Sequence, residues 1–246
     1  MRAFLLGAAI ALCWTAPAGA TTFYSYEETC PVGGERFPSV GYGSYSTWGA
    51  RLDGRPYGSS EFPLDVPVCP TNQFVLYKSA DEFTPAQVAA LTPYVAGDYR
   101  ALARKTSHYR AAHLARVAGE PQSTQAWLML QAGWQVDADA ERLARYQTEF
   151  VTLGDAALAD VQPTSTEWWM LQFRLANAER QLGRFDAALA RIAALPMSQL
   201  DDARDGSGNA REGFADGYRR GLDLLRTITE ARDSSLEPEA ARPQRR

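Results

Sequence analysis

Residues 168–196 read WWMLQFRLANAERQLGRFDAALARIAALP, and this stretch decides the architecture. Trp168, Leu171, Leu175 and Ala178 recur at helical spacing, and Leu182 closes the run. Gly183 stands where a chain leaves a helix through a left-handed turn. Phe185, Ala188, Leu189 and Ile192 restart the period, and Pro196 stops it. The spacing predicts two short helices folded back on each other. Such a hairpin has an apolar face that it cannot cover alone, so it must stack on neighbouring hairpins.

Leu175, Ala176, Leu182, Gly183, Phe185, Ala188 and Ile192 resemble the second half of a tetratricopeptide repeat, including its Leu-Gly-x-aromatic-x-x-Ala centre. The match departs at Leu195, where that family prefers a small residue, and at Pro196, which ends the second helix early. The run Trp127-Leu-Met-Leu-Gln131 returns as Trp168-Trp-Met-Leu-Gln172, 41 residues later. That period is longer than the usual repeat of about 34, so the array is irregular. The resemblance implies a helical solenoid that binds proteins or peptides.

Working outward, residues 1–20 have the pattern of a cleaved secretory leader: Arg2, an apolar centre, then Ala18-Gly19-Ala20. The apolar run is too short for a membrane span, and nothing later approaches one, so a periplasmic or secreted protein is expected. Without Arg2, 24 basic residues face 29 acidic ones, a formal charge of −5. That balance argues against a nucleic-acid partner. Residues 21–80 are rich in Gly, Tyr, Ser and Pro and predict a small β head, with strands at 23–26, 42–48 and 74–77. Turns are expected at Gly33-Gly34, Asp53-Gly54 and residues 56–58. From residue 81 the chain is rich in Ala, Leu, Arg and Gln and predicts a helical body to residue 232. Residues 233–246 carry charges and prolines and are expected to be disordered. The fold class is therefore α+β, mainly α.

With Cys13 in the leader, Cys30 and Cys69 are the two cysteines left, and each opens a Cys-Pro step. The pair resembles a zinc ribbon whose knuckles have lost their second cysteines, with Gly33 and Asn72 in those places. Bacterial envelope proteins that join such a ribbon to helical repeats are similar in plan. Structural zinc wants four ligands, and the head holds no histidine, so no metal is expected. In an oxidising compartment two lone cysteines usually join, and a Cys30–Cys69 disulfide is expected. Two free, reactive thiols would instead mark a thiol or metal protein.

In the body, Thr84-Pro-Ala-Gln87 supplies a cap and a first-turn proline for the first helix. One helix or two should cover 98–118, others 122–135 and 138–158, and a closing helix 210–232. Gly213, Gly217 and Gly221 form a smooth strip expected to seat that last helix closely on the array. The two histidines, His108 and His113, are too divergent on a helix to share a metal. His108 is expected to face solvent in a row with Arg100 and Arg104, a basic face that could meet a carboxylate or phosphate. No GxSxG, HExxH or phosphate-cradling glycine loop is present. The chain carries no catalytic constellation and calls for no cofactor, and a hydrolase without a recognisable motif is the rival reading. Trp127, Trp134, Trp168 and Trp169 remain. Trp168 and Trp169 point about 100° apart, so one is core, and Trp169 is expected to be partly exposed beside Trp127 and Trp134 as a contact surface for a protein or peptide.

Overall fold

The computed structural model describes residues 21–241; the expected leader, residues 1–20, and residues 242–246 lie outside the described residues. Among the described residues two small antiparallel sheets precede seven α-helices, an α+β arrangement that is mainly helical.

Strands β1 (Thr22–Thr29) and β2 (Arg36–Ser44) pair with Ser25 opposite Val40 and Tyr26 opposite Ser39. A Cβ at position 41 would stand 2.4 Å from the Tyr24 ring, so glycine is what lets this aromatic lie across the ribbon. The two Cys-Pro steps make the same turn twice. The Cys30 N–H donates to the Glu35 carbonyl at 2.8 Å, and the Gly34 N–H to the Cys30 carbonyl at 3.1 Å. Likewise the Cys69 N–H donates to the Phe74 carbonyl at 2.9 Å, and the Gln73 N–H to the Cys69 carbonyl at 3.0 Å. Asn72 ties the two turns together, its Nδ2 donating to the Val32 carbonyl at 2.7 Å and its Oδ1 accepting from the Phe74 N–H at 2.9 Å. A buried Cys30–Cys69 disulfide joins them across 39 residues of chain. Closing a loop of that length stabilises the fold by about 4 kcal/mol.

Three local expectations change. The strand expected at 42–48 is broken at residues 45–46, after β2 ends at Ser44. Residues 56–58, expected as a turn, form strand β4 (Pro56–Gly58), paired with β3 (Thr47–Ala50). The chain has already reversed at Gly54, whose φ is +89°, and Asp53 Oδ1 accepts from the Arg55 N–H. The strand expected at 74–77 shrinks to a single bridge between Val75 and Val68.

The change in composition near residue 80 is not a break in packing. Phe37, Phe74, Val75 and Leu76 of the head share one core with Leu91, Leu114, Met129, Phe150 and Leu175 of the body. Tyr99 and Arg110 both donate to the Gln73 carbonyl at 2.9 Å, and Lys78 pairs with Glu120 at 2.5 Å.

Helix α1 (Pro85–Ala96) starts on the capping box read from Thr84 and Gln87. Residues 98–118 do not form one continuous helix: Asp98–Leu102 is a 3-10 turn, and α2 begins at Ser107 and runs to Val117. Then come α3 (Gln122–Trp134), α4 (Ala140–Ala157), α5 (Thr166–Gln181), α6 (Phe185–Ala193) and α7 (Phe214–Glu230). Each packs on its neighbour in the chain, and α7 also reaches α5. The α5–α6 turn is the one read from Leu182-Gly183, with Gly183 at φ +72°.

A second core forms where α7 meets α5 and α6, around Trp169, Phe173, Ile192, Leu200, Tyr218, Leu222 and Leu225. The glycine strip plays little part in it. A Cβ at Gly213 or Gly217 would meet nothing within 4 Å, and only Gly221 approaches Phe173, at 3.3 Å. The close seating expected of the strip is thus confined to one of its three glycines. Residues 233–241, expected to be disordered, take a defined course. Arg180 donates to the Asp233 and Ser235 carbonyls, and Glu239–Ala241 closes as a 3-10 turn.

Candidate functional site

Of the tryptophans singled out in the sequence, Trp127 faces outward. It is 41% exposed, with Trp134 edge-on behind it at 5.7 Å and itself buried. Trp169, expected at the surface, is 0% exposed, held between Trp168 at 5.1 Å and Tyr218 at 5.3 Å. The expectation fails because α7 crosses α5 on that side, which no spacing within α5 reveals. The basic row fails too. Arg100 and Arg104 are exposed, but the chain leaves the helical path before Ser107, and His108 is 2% exposed on α2.

Trp127 belongs to an open groove of roughly 580 Å³ lined by Ser123, Trp127, Leu130, Phe150, Glu167, Leu171 and Arg174. Arg174 is its central feature, and sequence reading missed it. The residue sits on α5 between Leu171 and Leu175, and its guanidinium lies over the Trp127 ring at 4.8 Å. Among the described residues no carboxylate forms an ion pair with it. Burial lowers its pKa below the ordinary arginine value, and the charge of Asp53 offsets part of that. Arg174 also borders a second concavity, of roughly 1020 Å³, along α7 with Met170, Phe173, Arg211 and the strip Gly213, Gly217 and Gly221. The glycines therefore shape an open wall rather than a packed seam.

The β3–β4 turn reaches this region from the head. A Cβ at Gly54 would stand 3.1 Å from Arg174 Nε. Its flanking residues are pinned: Arg51 pairs with Asp53 and with Asp137 at 2.5 Å each, and Arg55 also pairs with Asp137. These pairs fasten the head to the end of α3. A cation over an aromatic face is stabilised by about 0.5–2 kcal/mol, which holds Arg174 in place but leaves its charge without an anion.

Glu167 stands seven residues before Arg174 on α5, about 10 Å along the axis and two turns away. It is exposed and lines the same groove. A stacking ring, an aliphatic wall and two opposite charges make a surface able to hold a charged, partly apolar ligand. Among the described residues no cluster of His, Cys, Asp and Glu could hold a metal ion. The two cysteine sulfurs are bonded to each other and buried, so neither is a free thiolate. Arg174 carries no motif that would mark it; the one hint is the Trp127 echo at Trp168, which sets α3 and α5 as comparable elements. No helix among the described residues is long and apolar enough to cross a membrane. No protein-family model, curated protein or solved structure matches the chain.

Proposed function

We propose that the chain is an exported, non-catalytic binding module whose helical body takes an extended peptide segment in the Trp127–Arg174 groove. The observation that carries the reading is a guanidinium stacked on a half-open tryptophan with no carboxylate paired to it. Such a group is ready for an acidic side chain or a terminal carboxylate. Glu167, about 10 Å away on the same helix, offers a site for a basic group roughly three extended residues further along the peptide. The disulfide supports an oxidising compartment, and the leader pattern supports export. The body is taken as an irregular tetratricopeptide-like array, consistent with its successive packed helices.

The test is selection from a random peptide library on the immobilised protein. Enriched peptides should carry an acidic residue, and their affinity should fall about tenfold or more in Arg174→Gln and in Trp127→Ala, a loss of at least about 1.4 kcal/mol. An absence of enrichment, or peptides indifferent to both substitutions, would refute the reading.

A further inference from the structure

Behind the groove lies a tight crevice between α3, α4 and α5, lined by Asp53, Trp134, Gln147, Arg174, Asn177 and Gln181 together with apolar residues. Four side-chain nitrogens of these residues are buried without a hydrogen-bond partner: Trp134 Nε1, Arg174 Nε, Asn177 Nδ2 and Gln181 Nε2. All four are donors. The Asn177 orientation is constrained by its other end. Asn177, 0% exposed, accepts on Oδ1 from Arg180 Nε and Nη2 at 3.1 and 2.9 Å, so its amide nitrogen must turn away from that guanidinium. Gln181 accepts on Oε1 from Gln147 Nε2 at 2.6 Å, which leaves its own nitrogen free.

The local charge is unbalanced in the same sense. Arg51 and Arg55 have carboxylate partners in Asp53 and Asp137. Arg174 and the fully buried Arg180 have none, Arg180 being held by Asn177 and by two main-chain carbonyls, with the Asp233 charge nearby. The one carboxylate on the lining, Asp53, is already engaged by Arg51 and by the Arg55 N–H. The crevice has room for about one water-sized species. A single water has two lone pairs and accepts from at most two of these four donors. An anion accepts from all of them and offsets the Arg174 charge.

We propose that this crevice is a binding site for a small monovalent anion of halide size, held by Arg174, Asn177, Gln181 and Trp134 beneath the Asp53–Gly54 turn. The site shares Arg174 with the outer groove but not Trp127, which borders the groove and not the crevice. It would bolt the head onto the body through a shared ion.

The probe is bromide with the full-length protein. Crystals grown or soaked in bromide should show an anomalous peak between Arg174 and Asn177. The thermal midpoint in bromide or chloride should exceed that in gluconate at equal ionic strength by about 2–4 °C. Asn177→Asp carries its own negative charge to the same place and should melt at one temperature in all three salts. Absence of bromide density, with equal midpoints in the three salts, would mean water fills the crevice and would overturn the proposal. Bromide found only on the surface, as an adventitious ion only, would do the same. An Asn177→Asp protein that folds and keeps the full halide response would also overturn it. Arg174 borders both places, but Trp127→Ala reads the groove alone and Asn177→Asp the crevice alone, so failure of one is distinguishable from failure of the other.

Discussion

The core beneath the head and the core beneath α7 are assembled from different materials. The first draws on segments far apart in the chain and locks them with a disulfide and with completed ion pairs, Lys78 to Glu120 and Arg51 to Asp53 and Asp137. The second is aromatic, with Tyr218 edge-on to both Trp169 and Phe173. There Trp169 Nε1 and Tyr218 Oη are partnerless, and Arg180 is met by carbonyls rather than by a carboxylate. Arg174, a cation without an ion pair among the described residues, stands on α5, the helix that contributes to both cores. Where charges are paired the molecule is being held together; where one is left unpaired beside a concavity, something else can bind.

The comparison is tested most severely at the covalent link. Replacing Cys30 and Cys69 together by serine should cost about 4 kcal/mol or more, from loop closure and from two hydroxyls placed in apolar surroundings. Reduced wild-type protein should bear the loop-closure loss alone and so denature at a higher urea concentration than the double variant. Amide exchange should accelerate in β1, β2 and α1 more than in α7. Equal acceleration in all of them would show that the two cores open as one unit.

The complementary lesion is Trp169→Ala, which empties the centre of the second core and should cost about 3–4 kcal/mol. Here α7 should lose protection first while the disulfide-linked turns keep theirs. A loss under about 1 kcal/mol, far below the range for a buried aromatic, would mean that α7 is not seated on this residue.

How much of this was legible in the sequence follows from the range of each interaction. The α5–α6 turn and the start of α1 were readable because Leu182-Gly183 and Thr84-Pro-Ala-Gln87 act within a few residues of themselves. The Cys30–Cys69 pairing was readable by a different route, because the two cysteines outside the expected leader leave few choices in the oxidising compartment it implies. The fate of Trp169 was not, since it depends on α7, which begins 45 residues later and covers it. The Arg100–Arg104–His108 row needed an unbroken helix, and residues 103–106 do not supply one. Arg174 was hidden for a related reason. On an amphipathic helix an arginine beside Leu175 reads as a solvated neighbour, and only the approach of Trp127 from α3 and Gly54 from the head makes it a half-buried cation.

The smallest of these effects is the sharpest in location, because both histidines of the chain lie on α2, in the first region. Burial pushes His108 down from 6.5 to about 4, against smaller opposing influences from Gln135 and Asp65. His113, tilted against the Tyr109 ring at 4.7 Å, is pushed down to about 4 by burial and by the charges of Arg116 and Lys105. A folded-state pKa below the unfolded value means that the fold prefers the neutral ring. The associated stability is fully present above pH 6.5 and is lost as the pH falls toward about 4, while the unfolded chain takes up protons that the folded one refuses. For His108 the loss across that window is roughly 2–3 kcal/mol. Urea midpoints at about pH 7 and about pH 4.5 should differ in that direction, and His108→Gln should remove much of the difference. Because α7 and its core carry no histidine, acid should expose α2 and the head before it exposes Trp169. Should Trp169 fluorescence shift first on acidification, the first region would not be where the protons act.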